Sequence, residues 1–255
     1  MRLTHVLTAV NDNPNYSKFI PLFVDQWQRL YPELEPVIVY VGDSVPAELV
    51  AEYGRYIRHL APLEGRSTAV VAQMVRLVYP CLLPEDATVL ITDMDMIPGR
   101  SDYFRSAALA ACAEDAFVSL RPKNVVAWNQ IAMCYNAARV SVWRQVFGVT
   151  TEAEMRAYLE AAVPPVAVAA GVHEGVGWYS DQEHLWSKVS TYRGLVFLDD
   201  GAMGFRRLDY FHHHYGIDAF IRLLAGERYS DCHLYSHKCR WTAEQIGEIR
   251  ARLRA

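Results

Sequence analysis

The run Thr88-Val89-Leu90-Ile91-Thr92, in which every residue is apolar or β-branched, ends on Asp93-Met94-Asp95. A strand without a polar face must be covered on both sides, which is the position of a central strand in a parallel sheet. The rest of the N-terminal half agrees. Residues 4–10 and 37–41 predict two more buried strands, the second closed by Gly42-Asp43. Between them Phe19, Phe23, Trp27 and Leu30 recur at helical spacing, as a helix laid on a sheet face requires. A short helix after Pro46, a strand over 56–60 and a helix over 68–79, left at Pro80, continue the alternation. The fold class this predicts is α/β, with a mixed, mainly parallel central sheet flanked by helices.

The C-terminal half is less regular. Strands are expected over 116–120 and 131–135, and a helix over 140–147 that stops at Gly148. Thr151 with Glu154, and Thr242 with Gln245, have the spacing of capping boxes. Residues 163–177 carry Pro164-Pro165 and three glycines and read as a long binding loop. With 255 residues, 52% hydrophobic and 21% charged, the chain is expected to form one domain. A net charge of -4 with scattered basic residues argues against a nucleic-acid partner. No apolar run reaches membrane-spanning length, and residues 1–6 lack the features of a signal peptide. The five cysteines are odd in number and mostly far apart, which points to a reducing, cytoplasmic setting.

Asp93 and Asp95 carry the chemistry. Strand residues two apart share a face, so the pair is expected to present both carboxylates to one point beyond the strand's C-terminal end. That edge of an open α/β sheet is where ligands bind. Adjacent carboxylates repel unless a cation or donor groups stabilise them, and oxygen ligands favour Mg²⁺ or Mn²⁺ with positions open to substrate phosphates.

Several stretches in order resemble the GT-A nucleotide-diphospho-sugar glycosyltransferases, in their small form related to families 8 and 34. They are Leu7-Thr8-Ala9-Val10-Asn11; Arg76-Leu77 with Tyr79-Pro80; Val89 to Asp95; Cys134-Tyr135-Asn136-Ala137; and Trp178-Tyr179-Ser180-Asp181-Gln182. The resemblance spans about residues 4–240. It implies a Rossmann-like GT-A domain in which 1–100 form the nucleotide half, 101–240 the acceptor half with completion of the metal site, and 241–255 a C-terminal helix. It further implies sugar transfer from a nucleotide diphosphate donor, UDP by family expectation, to a carbohydrate or glycoconjugate acceptor, with Mn²⁺ or Mg²⁺ as cofactor. Asp93 and Asp95 match the metal motif, and His233 or else His237 completes it. Thr8, Ala9 and Asn11 border the nucleotide. Arg66 and Arg76 suit the donor's phosphates or sugar, since guanidinium binds phosphate bidentately. Asp181 and Gln182 lie by the transferred sugar, Asp181 as general base if configuration inverts or else only as a helix N-cap, and Trp178 as a stacking surface.

Other features read as structural. The consecutive His212-His213-His214 do not converge on one ion, and Cys232, His233, His237 and Cys239 fit no common zinc spacing. Phe117, Trp128, Tyr135, Trp143 and Phe147 are expected in the core. The same carboxylate pair would also serve a metal-dependent phosphohydrolase or nucleotidyltransferase, and a degenerate domain would only bind carbohydrate.

Overall fold

A computed structural model describes residues 1–122, 128–165, 179–208, 216–226, 229–234 and 241–254. Its main sheet has seven strands in the order β3-β2-β1-β4-β7-β6-β8: β1 His5–Asn11, β2 Glu35–Val41, β3 Ile57–Leu60, β4 Thr88–Ile91, β6 Phe117–Ser119, β7 Asn136–Arg139 and β8 Leu195–Phe197. Every neighbouring pair is parallel except those made by β7, which runs against both β4 and β6. A second sheet of β5 Met96–Pro98, β9 Arg206–Leu208 and β10 Tyr229–His233 has the order β5-β10-β9. The mixed, mainly parallel sheet matches the expected class.

The continuous apolar strands are explained by the two cores they separate. Along β1, Val6 and Val10 enter one core while Leu7 and Ala9 enter the other, as the two-residue period requires. One core is closed by the helices Thr68–Val78, Val140–Phe147, Glu152–Ala162 and Ser180–Val189. The other is closed by the helices Ile20–Leu30, Ile217–Leu224 and Ala243–Arg254 together with the small sheet. Phe19, Phe23 and Trp27 are fully buried there, with the Trp27 ring 5.1 Å from that of Phe104. None of the described helices is long and apolar enough to cross a membrane.

Local signals hold at several joints. The helix Val140–Phe147 ends on Gly148 at φ 67°, a left-handed position that glycine adopts without steric cost. Thr151 and Glu154 form the expected capping box, and Thr242 and Gln245 exchange the same pair of bonds at 3.0 and 3.1 Å. Thr151→Ala should lower stability by about 1 kcal/mol, read from the shift of a urea unfolding midpoint at unchanged slope. The strand expected over 131–135 falls instead at Asn136–Arg139. Residues 132–136 make a turn, with Asn136 Nδ2 donating to the carbonyls of Ala132 and Met133 at 2.8 and 3.1 Å.

Candidate active site

The sheet's C-terminal edge collects the charged side chains. β1 ends there at Asn11, β4 at Ile91 and β6 at Ser119, and the reversed β7 begins there, Asn136 pairing with Ile91 and Ser119. Chain leaving these ends carries Asp93, Asp95 and Arg121 into the same region.

Arg76 lies in the last turn of the helix Thr68–Val78, whose other residues bury an almost wholly apolar surface, and it is itself only 6% exposed. Its guanidinium joins two acids. Nη1 donates to Asp93 Oδ1 and, at 3.4 Å, to the Thr92 carbonyl; Nη2 donates to Asp181 Oδ2 at 2.8 Å. Asp181 is in the first turn of the helix Ser180–Val189 and is not its N-cap, which is Tyr179. Its Oδ1 accepts from the Gln182 backbone N–H at 2.8 Å. Two carboxylates share one cation, so the more deeply buried of them carries the unfavourable charge. Burial, with Asp93 adding to it and Arg76 opposing, pushes the Asp181 carboxyl up to about 6.

Below about pH 4 Asp181 is protonated in both folded and unfolded chains, and between there and about pH 6 only the folded chain holds the proton. Stability from this group is therefore lost as pH rises through that window, by roughly 3 kcal/mol in all. Asp181→Asn should flatten that slope, which unfolding midpoints measured from pH 4 to 7 would show.

Asp95 belongs to a second centre. β5 and β10 pair antiparallel with Met96 opposite His233, and the Leu234 N–H donates to the Asp95 carbonyl at 2.9 Å. This register brings Asp95 Oδ2 to 3.3 Å from His233 Nε2, with Asp95 5% exposed. Burial works against both charges, yet their mutual attraction prevails: the Asp95 carboxyl is held below its ordinary value and the His233 imidazole above it. Asp93 also favours the charged imidazole and Arg76 the charged Asp95, so the two centres share one field.

The strand-based expectation for Asp93 and Asp95 needs correction. β4 stops at Ile91, and both acids lie in a turn closed by the Met96 N–H to the Asp93 carbonyl at 3.2 Å. Strand alternation no longer sets their directions: Asp93 engages Arg76, and Asp95 engages His233. Among the described residues no three His, Cys, Asp or Glu side chains are gathered as a metal cluster. The Asp95 and His233 pair nonetheless has the chemistry and spacing for a divalent ion. Neighbouring ligands of an octahedral ion with bonds of about 2.1 Å lie about 3 Å apart.

Of the other expected residues, Asn11 Nδ2 donates to Thr68 Oγ1 at 3.1 Å, tying the end of β1 to the start of the Thr68–Val78 helix. Thr8 and Ala9 are buried on β1, and Thr8 Oγ1 has no hydrogen-bond partner. Arg66 is drawn elsewhere: its Nη2 donates to the Glu160 carbonyl at 2.9 Å, and its backbone bridges to Pro165. Gln182 is half-buried, its carbonyl accepting from the Ile131 N–H at 3.3 Å. Trp178, His237, Cys239, His212 to His214 and most of the 163–177 loop lie outside the described residues.

Sequence reasoning missed a buried ionic group beside this region. Arg121 donates through Nε to Asp200 Oδ2 at 2.9 Å and through Nη2 to Asp231 Oδ1 at 2.5 Å. Tyr135 donates to the other Asp231 oxygen at 2.8 Å, and Tyr103 donates to Asp200. Asp231 is wholly buried two residues before His233, so this group anchors the strand that carries the imidazole. Arg207 reaches Cys134 Sγ at 3.1 Å and opposes protonation of His233.

No protein-family model and no curated protein matches the chain. Solved structures do. The galactosyltransferase LgtC, in complex with donor and acceptor sugar analogs, superposes with a TM-score of 0.53 at 12% identity, covering 97% of this chain and 95% of that one. The glycosyltransferase GlyE of Streptococcus pneumoniae TIGR4 gives 0.51 at 16% identity, covering 98% of this chain and 60% of its own. The bifunctional glycosyltransferase WbbM gives 0.53 at 9% identity over 98% of this chain and 50% of its own. At these identities the likeness is one of fold, and the fold is GT-A.

Proposed function

We propose that this protein is a metal-dependent glycosyltransferase that moves a sugar from a nucleoside diphosphate donor, UDP-linked, to a carbohydrate or glycoconjugate acceptor. The observation that carries the reading is the pairing of two charge centres at the ligand-binding edge of a GT-A sheet: Asp95 with His233, and Arg76 with Asp93 and Asp181. LgtC, which shares the fold, holds donor and acceptor sugar analogs, and this supports a sugar-transfer reading.

Asp95 and His233 would hold Mn²⁺ or Mg²⁺, joined by Asp93. The ion, when bound, supplies a Lewis acid for the departing diphosphate. The protein's own groups do the rest. Thr8, Ala9 and Asn11 border the nucleotide. Arg76, which holds Asp181 in place, and Arg66 are assigned to the donor's phosphates or sugar, and Trp178 to stacking on the sugar. Asp181, ionised above about pH 6, accepts the acceptor hydroxyl's proton if configuration inverts, beside Gln182 on the transferred sugar. Residues 1–100 act as the nucleotide half and 101–240 as the acceptor half of one catalytic domain. The four described cysteines are free thiols, which supports a reducing, cytoplasmic setting.

The test is a thermal-shift screen with UDP, with and without Mn²⁺. A ligand at a hundred times its Kd adds about 2.7 kcal/mol, a rise of several degrees for a chain of this size. An equal shift in both samples contradicts the proposal.

A further inference from the structure

Trp128 is 69% exposed, the highest value among the large hydrophobic side chains of the described residues. The sequence reading places it in the core, and the structure places it outside. Burying a side chain of this size is worth roughly 1.5–3 kcal/mol, so an indole left in water forgoes a large gain. Asn129 has φ 51°, a left-handed turn that asparagine tolerates better than most residues, and past it Ile131 is wholly buried.

The segment is fastened to the helix that carries Asp181. Gln130 Nε2 donates to Glu183 Oε1 at 3.2 Å, and the Ile131 N–H donates to the Gln182 carbonyl at 3.3 Å. Residues 128–131 therefore run along the first turn of the helix Ser180–Val189, where the N-cap Tyr179 is itself 43% exposed. Trp128 and Tyr179, both exposed, thus stand at the beginnings of two segments joined to each other by these bonds. The charge of these two segments selects among occupants. Residues 128–131 and 179–183 contain no lysine or arginine, which disfavours an anionic ligand, while Gln130 and Gln182 bring amides suited to hydroxyl groups.

We propose that Trp128, with Tyr179, forms a stacking surface for a neutral sugar ring of the acceptor. A pyranose ring has an apolar C–H face and a polar rim, which matches an indole face bordered by amides. The inference rests on the glycosyl-transfer reading and deepens it by assigning two side chains to the acceptor's neutral sugar ring.

Saturation-transfer NMR on the full chain with UDP and Mn²⁺ present tests it, using a panel of lactose, cellobiose, maltose and xylobiose. At least one sugar should receive saturation from the wild-type protein. Trp128→Ala should weaken that contact by about fivefold or more, and Trp128→Phe should retain most of it. An unchanged melting temperature in Trp128→Ala is expected for so exposed a residue and confirms that the fold is intact. No sugar contact in the wild type, or equal contact in Trp128→Ala, overturns the proposal. So does concentration-dependent dimerisation that Trp128→Ala abolishes, which assigns the surface to a second copy of the chain. The donor reading is judged separately by the wild-type response to UDP and Mn²⁺: a metal-dependent shift without sugar contact removes the stacking surface alone.

Discussion

Arg76→Ala should destabilise the fold by about 3–5 kcal/mol, more than any single surface change. The substitution leaves Asp181, 2% exposed, and Asp93 with no guanidinium between them. A buried carboxylate without its partner takes a proton at higher pH, so the loss should be largest well above the wild-type Asp181 value and shrink as pH falls towards about 6. Arg76→Ala combined with Asp181→Asn should recover part of the stability, because the amide carries no charge to strand. Urea unfolding at pH 5 and pH 8 measures both effects. A loss of less than about 1 kcal/mol at pH 8 would show that Arg76 is a solvated residue and that the buried cluster does not exist in solution.

Asp95→Asn should lower turnover of a nucleotide-sugar donor by at least about a hundredfold, the scale seen when one electrostatic group aimed at developing charge is removed. Its second effect distinguishes a metal ligand from a structural acid: UDP affinity with Mn²⁺ should fall to the value found without it. The fold should survive, since the Leu234 N–H bonds to the Asp95 backbone carbonyl and not to its side chain. Calorimetric titration of UDP into the variant, with and without Mn²⁺, decides the point. Metal-enhanced affinity that persists in Asp95→Asn would remove Asp95 from the site.

The sheet was legible because its physics is local. β1, β2 and β4 are runs covered on both faces, and such strands have no choice but to be continuously apolar. The two capping boxes were legible for the same reason, each being a bond pair within four residues. The site was legible in its residues but not in its geometry. Asp93 and Asp95 look like a strand end, yet the pairing of β5 with β10 takes over after Ile91 and sends the two acids to different partners. Arg121 was invisible because its partners Asp200 and Asp231 lie 79 and 110 residues away, and no periodicity links them. Trp128 was misplaced because apolar character predicts burial only on average.

Glycosyl transfer at the edge of this GT-A sheet, as proposed, would cleave the bond between sugar and diphosphate. Incubating the protein with UDP-galactose or UDP-glucose and Mn²⁺, and identifying the nucleotide product by chromatography, tests it most directly. Slow, Mn²⁺-dependent release of UDP is expected, accelerated when an acceptor sugar is present. Formation of UMP and sugar phosphate, or no metal-dependent cleavage at all, would contradict it.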